Sequence, residues 1–133
     1  MIRRRLAALF CSAAALTGAA ACSSSSSVAA RPRSDARLAI IEPTVDTTVH
    51  GTLEVKLRLT GGEVVGTTSG PLSSDQGHIH VSLDGALVTM AYGLRQRIPG
   101  VKPGQHTLQA EFVATDHKPF PNRVIAAVVF VAT

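Results

Sequence analysis

Between residues 37 and 133 the chain alternates apolar and polar positions in several short runs. Leu53, Val55, Leu57 and Leu59 interleave with Glu54, Lys56, Arg58 and Thr60, and His78-Ile79-His80-Val81-Ser82-Leu83 repeats the pattern. Successive side chains on a strand point to opposite faces, so a period of two predicts strands with one buried face. Asp84-Gly85 is a two-residue hairpin signal, and Ala86 to Tyr92 returns from it. Further strands are expected at Leu38 to Ile41, ended by Pro43, at His106 to Thr115 and at Arg123 to Ala132. Gly61-Gly62, Gly70-Pro71, Pro99-Gly100 and Pro103-Gly104 punctuate the segments, and no long window carries a helical apolar stripe. About seven short strands separated by turns predict an all-β fold, a single immunoglobulin-like antiparallel β-sandwich over residues 37–133.

Closing the hairpin on two residues sets an expected register. Leu83 then opposes Ala86, Val81 opposes Val88 and Ile79 opposes Met90, and these six apolar residues share a core face. Ser82 opposes Leu87, His80 opposes Thr89 and His78 opposes Ala91 on the other. In this register Met90 points away from His78 and His80 and fills the core rather than joining them as a soft metal ligand.

The first residues follow a different pattern. Arg3-Arg4-Arg5 precede an apolar run from Leu6 to Ala21, 16 residues long. A basic start, a short apolar run and small residues before a cut describe a secretory signal, and the run is short of the roughly 20 residues a membrane span needs. Leu16-Thr17-Gly18-Ala19-Ala20-Ala21-Cys22 resembles the lipobox of bacterial lipoproteins, with Ala19 standing where that family prefers a larger apolar residue. The resemblance implies a signal peptide at 1–21, a diacylglyceryl group on Cys22, and anchoring to the extracytoplasmic face of the cell membrane. The other reading is ordinary cleavage and a secreted soluble protein. Arg3-Arg4 leave the route, Sec or twin-arginine, open. Ser23 to Ser27 and the polar residues after them cannot bury enough apolar surface to offset ordering, so residues 22–36 are expected to be a disordered tether.

Charge changes the picture only by subtraction. The formal +4 includes the three arginines of the signal; from Cys22 onward ten Lys and Arg face nine Asp and Glu. A near-neutral domain whose few aromatics are not interleaved with basic residues offers nothing to nucleic acid. Cys11 and Cys22 both precede the folded part, which excludes a stapling disulfide there and thiolate zinc sites.

Gly77-His78-Ile79-His80-Val81, then Asp84-Gly85, then Pro103-Gly104-Gln105-His106-Thr107-Leu108, then Asp116-His117-Lys118-Pro119 resemble a group of secreted bacterial domains. That group has a Gly-His-x-His strand, a Pro-Gly-x-His-Thr-Leu strand start and a late His-x-Pro. The resemblance covers roughly residues 77 to 130 and implies an immunoglobulin-like fold for a group mostly of unknown function. Copper-handling periplasmic sandwiches of the CopC group share this architecture, but a fold does not transfer function.

The histidines carry the candidate chemistry. His78 and His80 lie on one face of a strand, about 6.6 Å apart along it, and can offer two imidazoles to one ion. His117, in a loop, is the expected third ligand. His106 is the doubtful member, because its parity with Leu108, Ala110 and Phe112 points it inward. Imidazole suits copper(II), zinc or nickel. The competing reading makes these rings structural, tying backbone groups at strand ends. His50 is expected to face solvent, and Asp75 and Asp84 to serve turns. Asp116, His117 and Ser82 do not make a hydrolase, since no Gly-x-Ser-x-Gly elbow exists. The sequence thus favours a non-enzymatic, membrane-anchored binding module for an unidentified protein or small ligand. The alternative is a histidine-based copper or zinc protein of the cell envelope.

Overall fold

A computed structural model describes residues 30–66 and 70–133. The expected signal peptide, Cys22 and the serine run lie outside the described residues. Among the described residues nine strands follow one another: β1 (Arg37–Glu42), β2 (Thr48–Val49), β3 (Thr52–Thr60), β4 (Glu63–Val64), β5 (Gln76–Leu83), β6 (Ala86–Ala91), β7 (Arg95–Pro99), β8 (Gly104–Ala114) and β9 (Pro119–Ala132). One sheet runs β1-β3-β7; the other runs β2-β9-β8-β5-β4, with β6 also paired to β5.

The alternating positions do what their period requires. Leu53, Val55 and Leu57 of β3, Ile79 and Val81 of β5, Leu108, Ala110 and Phe112 of β8, and Phe130 of β9 form one buried cluster between the sheets. Phe112 stacks on Phe120 with ring centroids 5.4 Å apart. The second sheet's other face carries His78, His80 and Ser82 of β5, which pair with Val113, Glu111 and Gln109 of β8. Gly77 makes that pairing possible: a Cβ there would stand 1.9 Å from the Val113 carbonyl oxygen, so only glycine lets β5 approach β8 this closely.

The Asp84-Gly85 turn closes as expected, with φ of 52° and 83°, the paired positive values of a type I′ turn. The register beyond it does not hold. Leu83 pairs with Ala86 and Ser82 with Leu87, but Val81 then pairs with Thr89, His80 with Met90 and Ile79 with Ala91. Val88 is the extra residue of a β-bulge. A slip of one residue turns every later side chain to the opposite face. Val88 and Met90, expected in the core, are 42% and 48% exposed, and Met90 shares its face with His80.

A second departure is at the start. Residues 30–36, assigned to the tether by composition, include two that are packed onto the domain. Ser34 is 1% exposed and Ala36 is also buried. The Ser34 N–H donates to Asn122 Oδ1 (3.0 Å), and Asn122 Nδ2 donates to the Ser34 carbonyl (2.6 Å). Composition could not show that a distant asparagine satisfies this backbone.

Gly77→Ala is expected to lower stability by about 1–3 kcal/mol or more, as forced overpacking does. Gly70→Ala, where an added Cβ meets nothing within 4 Å, should leave it unchanged. Urea denaturation of the two variants checks the difference; equal midpoints would show that β5 and β8 are not locked at this contact.

Candidate metal centre

Two pieces of local structure bring three imidazoles together. The first is β5, whose period of two puts His78 and His80 on the face away from the core. The second is the β8–β9 connection. There the His117 N–H donates to the Ala114 carbonyl (3.0 Å) and the Ala114 N–H to the Lys118 carbonyl (3.1 Å). His117 itself has φ of 63°, a left-handed conformation that is uncommon for a non-glycine residue, although His is among the enriched types. Such outliers persist only where surroundings hold them and often mark functional positions. Here the hold comes from the N-terminal segment. Arg31 donates two hydrogen bonds to Asp116, at 2.6 and 3.1 Å, and its Nη2 also reaches the Lys118 and Pro119 carbonyls. That bidentate, charge-assisted pair pulls the Asp116 carboxyl below its ordinary pKa and holds the Arg31 guanidinium above its own.

His78 Nε2 lies 3.1 Å from His80 Nε2 and 2.9 Å from His117 Nδ1. One ligand atom from each of the three rings lies within 4.8 Å of the others. His78 is fully buried, with the His117 ring at 4.3 Å, the His80 ring at 5.0 Å and the Tyr92 ring at 5.5 Å between centroids. A neutral ring nitrogen has one proton or one in-plane lone pair to offer. His78 Nε2 therefore satisfies at most one of its two neighbours well, whereas a single cation accepts a lone pair from all three. An ion about 2.05 Å from each nitrogen sees contacts of 2.9 and 3.1 Å under angles of about 90–98°. It also needs the widest pair no farther apart than about 4.1 Å, so the cluster closes by less than about 1 Å from its 4.8 Å limit.

The electrostatics favour the neutral forms of His78 and His80. Burial, reinforced by His117 and His80, pushes the His78 imidazole down to about 4. Burial and His117 lower His80 as well, against a smaller upward pull from Glu111. A ligand must be deprotonated, and both shifts favour that form. Among the described residues neither the His78 nor the His80 ring is bonded to backbone, and buried His78 Nδ1 has no partner there. These two rings are therefore not tying down strand ends.

His106 is not brought to the cluster. It sits at the far end of β8, where Nδ1 is 2.7 Å from Asp84 Oδ2 and Nε2 is 2.8 Å from the Lys102 carbonyl. Both ring nitrogens are engaged, and the hydrogen bond to Asp84 pulls its pKa up, the opposite of what a ligand needs. As a candidate ligand it is corrected: it clamps the Asp84 turn, whose Oδ1 also accepts from the Thr107 N–H at 2.8 Å. The inward parity of β8 is the physical reason. His50 is exposed and lies 2.8 Å from the Thr133 hydroxyl, and Asp75 bonds to Ser73. Tyr92, beside His78, went unnoticed in the sequence. Its two-residue spacing from Met90 would have marked it once the bulge was placed, and the adjacent apolar pair Leu87-Val88, a break in alternation, was the available sign of that bulge.

Neither a protein-family model nor a curated protein matches the chain. Solved structures resemble it in backbone. A CARDB domain from Pyrococcus furiosus gives a TM-score of 0.50 at 14% identity, covering 77% of this chain and 97% of that one. The fold is an immunoglobulin-like β-sandwich. A CbhA fibronectin(III)-like module of Clostridium thermocellum gives 0.47 at 10% identity over 72% and 95% of the two chains. A human PKD domain gives 0.45 at 10% identity over 83% and 91%. At such identities the likeness speaks for backbone architecture alone.

The metal-free protein should lose stability in acid through His78. The unfolded ring takes its proton near pH 6.5 and the folded ring only near 4. Stability is thus complete above about pH 6.5 and drains away as pH falls toward 4, by at most about 3 kcal/mol. His78→Leu should flatten this stretch of a stability–pH curve measured by urea denaturation in chelator. Parallel curves for the two proteins would show that the ring titrates normally.

Proposed function

We propose that this domain is a non-enzymatic metal-binding module of the cell envelope, taking copper or zinc through His78, His80 and His117. One observation carries the reading: imidazole nitrogens of His80 and His117 lie 3.1 and 2.9 Å from the same nitrogen of buried His78. An interaction module with no ligand at this spot would have no use for rings that crowd one another and leave buried His78 Nδ1 without a partner among the described residues. The nearby carboxylate does not recruit them for acid–base chemistry, since Asp116 is engaged by Arg31.

The site is tested by calorimetry of the purified protein with copper(II) and zinc(II) at pH 7.5. The wild type should bind one ion per chain, and the His78→Ala/His80→Ala double variant should lose that binding. Binding that is absent from the wild type, or unchanged in the double variant, contradicts the proposal.

We further propose that Cys22 bears a lipid and holds the module at the membrane surface. The lipobox-like segment before it supports this. Arg31, fixed to the loop that presents His117, is nine residues from Cys22, a span of at most about 32 Å even when fully extended. The metal site would then face the membrane side of the domain. Expressed in a bacterial host, the wild type should partition into detergent and Cys22→Ser should not; identical partitioning overturns the anchor.

A further inference from the structure

Strand β5 lies between β6 and β8, so His80 has a cross-strand neighbour on each side. On β8 it pairs with Glu111 and on β6 with Met90. Paired residues share a face, with Cβ atoms about 4.5–5.5 Å apart. Both are placed to add a fourth ligand beside the three rings, one hard and one soft. Glu111 is already committed: Arg123 donates to both of its oxygens, at 2.7 and 2.6 Å, and the carboxylate is largely buried under that guanidinium. Met90 is 48% exposed, and its flexible, unbranched side chain can turn its sulfur toward a neighbour without backbone movement.

Met90 reaches this face only through the bulge at Val88. With an unbroken ladder it would pair with Ile79 and enter the core. The bulge instead pairs it with His80, at a local cost in ladder hydrogen bonds. Bulges of this kind recur beside functional sites, where they re-aim a side chain.

We propose that the Met90 thioether is the fourth ligand of the His78, His80 and His117 site, and that the site therefore holds copper(I) as well as copper(II). The inference rests on the reading of the three histidines as a metal centre. Imidazole alone suits copper(II) and zinc; a thioether adds preference for copper(I). Zinc gains little from it, so Met90 separates copper from zinc while the histidines serve both. Tyr92, two residues further on and 5.5 Å from the His78 ring, flanks the same side.

The chain suits a direct test because Met90 is its only methionine apart from Met1. The full chain, with Cys11→Ser and Cys22→Ser in every protein compared so that no thiol competes for copper(I), is titrated anaerobically with copper(I) supplied from the competing chelator bicinchoninate, and separately with zinc(II). Wild type, Met90→Leu and His78→Ala/His80→Ala are compared. X-ray absorption at the copper edge is recorded on each copper(I) sample. The proposal expects Met90→Leu to weaken copper(I) roughly ten-fold or more, the scale on which partners around a site alter metal affinity. It also expects zinc affinity to stay the same and the sulfur scatterer to vanish. Unchanged copper(I) affinity and an unchanged spectrum in Met90→Leu, with binding still lost in the double histidine variant, overturn the role of Met90 alone. Copper(I) and zinc binding that survive in the double histidine variant overturn the metal centre, and this inference with it.

Discussion

The whole arrangement hangs on strand β5 being fixed between two neighbours. Against β8 the lock is Gly77, where the Val113 carbonyl leaves no room for a side chain. Against β6 it is a tight turn followed by a bulge. Because side chains alternate along a strand, fixing β5 settles two things at once. Ile79 and Val81 go into the core, and His78 and His80 go to the opposite face. Hydrophobic burial on one side thereby sets the spacing of the imidazoles on the other, so their geometry is held by the stability of the domain.

What sits on that outer face is polar crowding under cover. An ordinary polar sheet face leaves its histidines to water. Here the His117 loop and Tyr92 close over His78, and the His78 ring meets the other two imidazoles. Burying a polar ring without full hydrogen bonding costs free energy, and clamping the loop with Arg31 adds ordering. A ligand that accepts all three lone pairs turns this unfavourable cluster into a favourable one, which gives the metal reading its physical force.

Much of this was legible in the chain. The alternation in β3 and β5, the Asp84-Gly85 turn and the turn-rich spacing pointed to the sandwich. They also put His78 and His80 side by side away from the core. His106 was marked as inward-facing by its parity with Leu108 and Phe112, and it does face away from the cluster. Two features escaped. A bulge inserts a residue without altering the apolar character of a run, so Met90 was placed on the wrong face although Leu87-Val88 broke the alternation. The docking of Ser34 on Asn122 joins residues 88 positions apart, and no local pattern announces a pairing at that range. Arg31 and Asp116, 85 positions apart, were invisible as partners for the same reason.

The central claim is that His78, His80 and His117 share one ion. Crystals grown with copper(II) and measured by anomalous diffraction at the copper edge address it directly. The account predicts a single strong peak about 2.0–2.1 Å from His78 Nε2, His80 Nε2 and His117 Nδ1. A peak confined to His50 or His106, or none between the three rings, would contradict it.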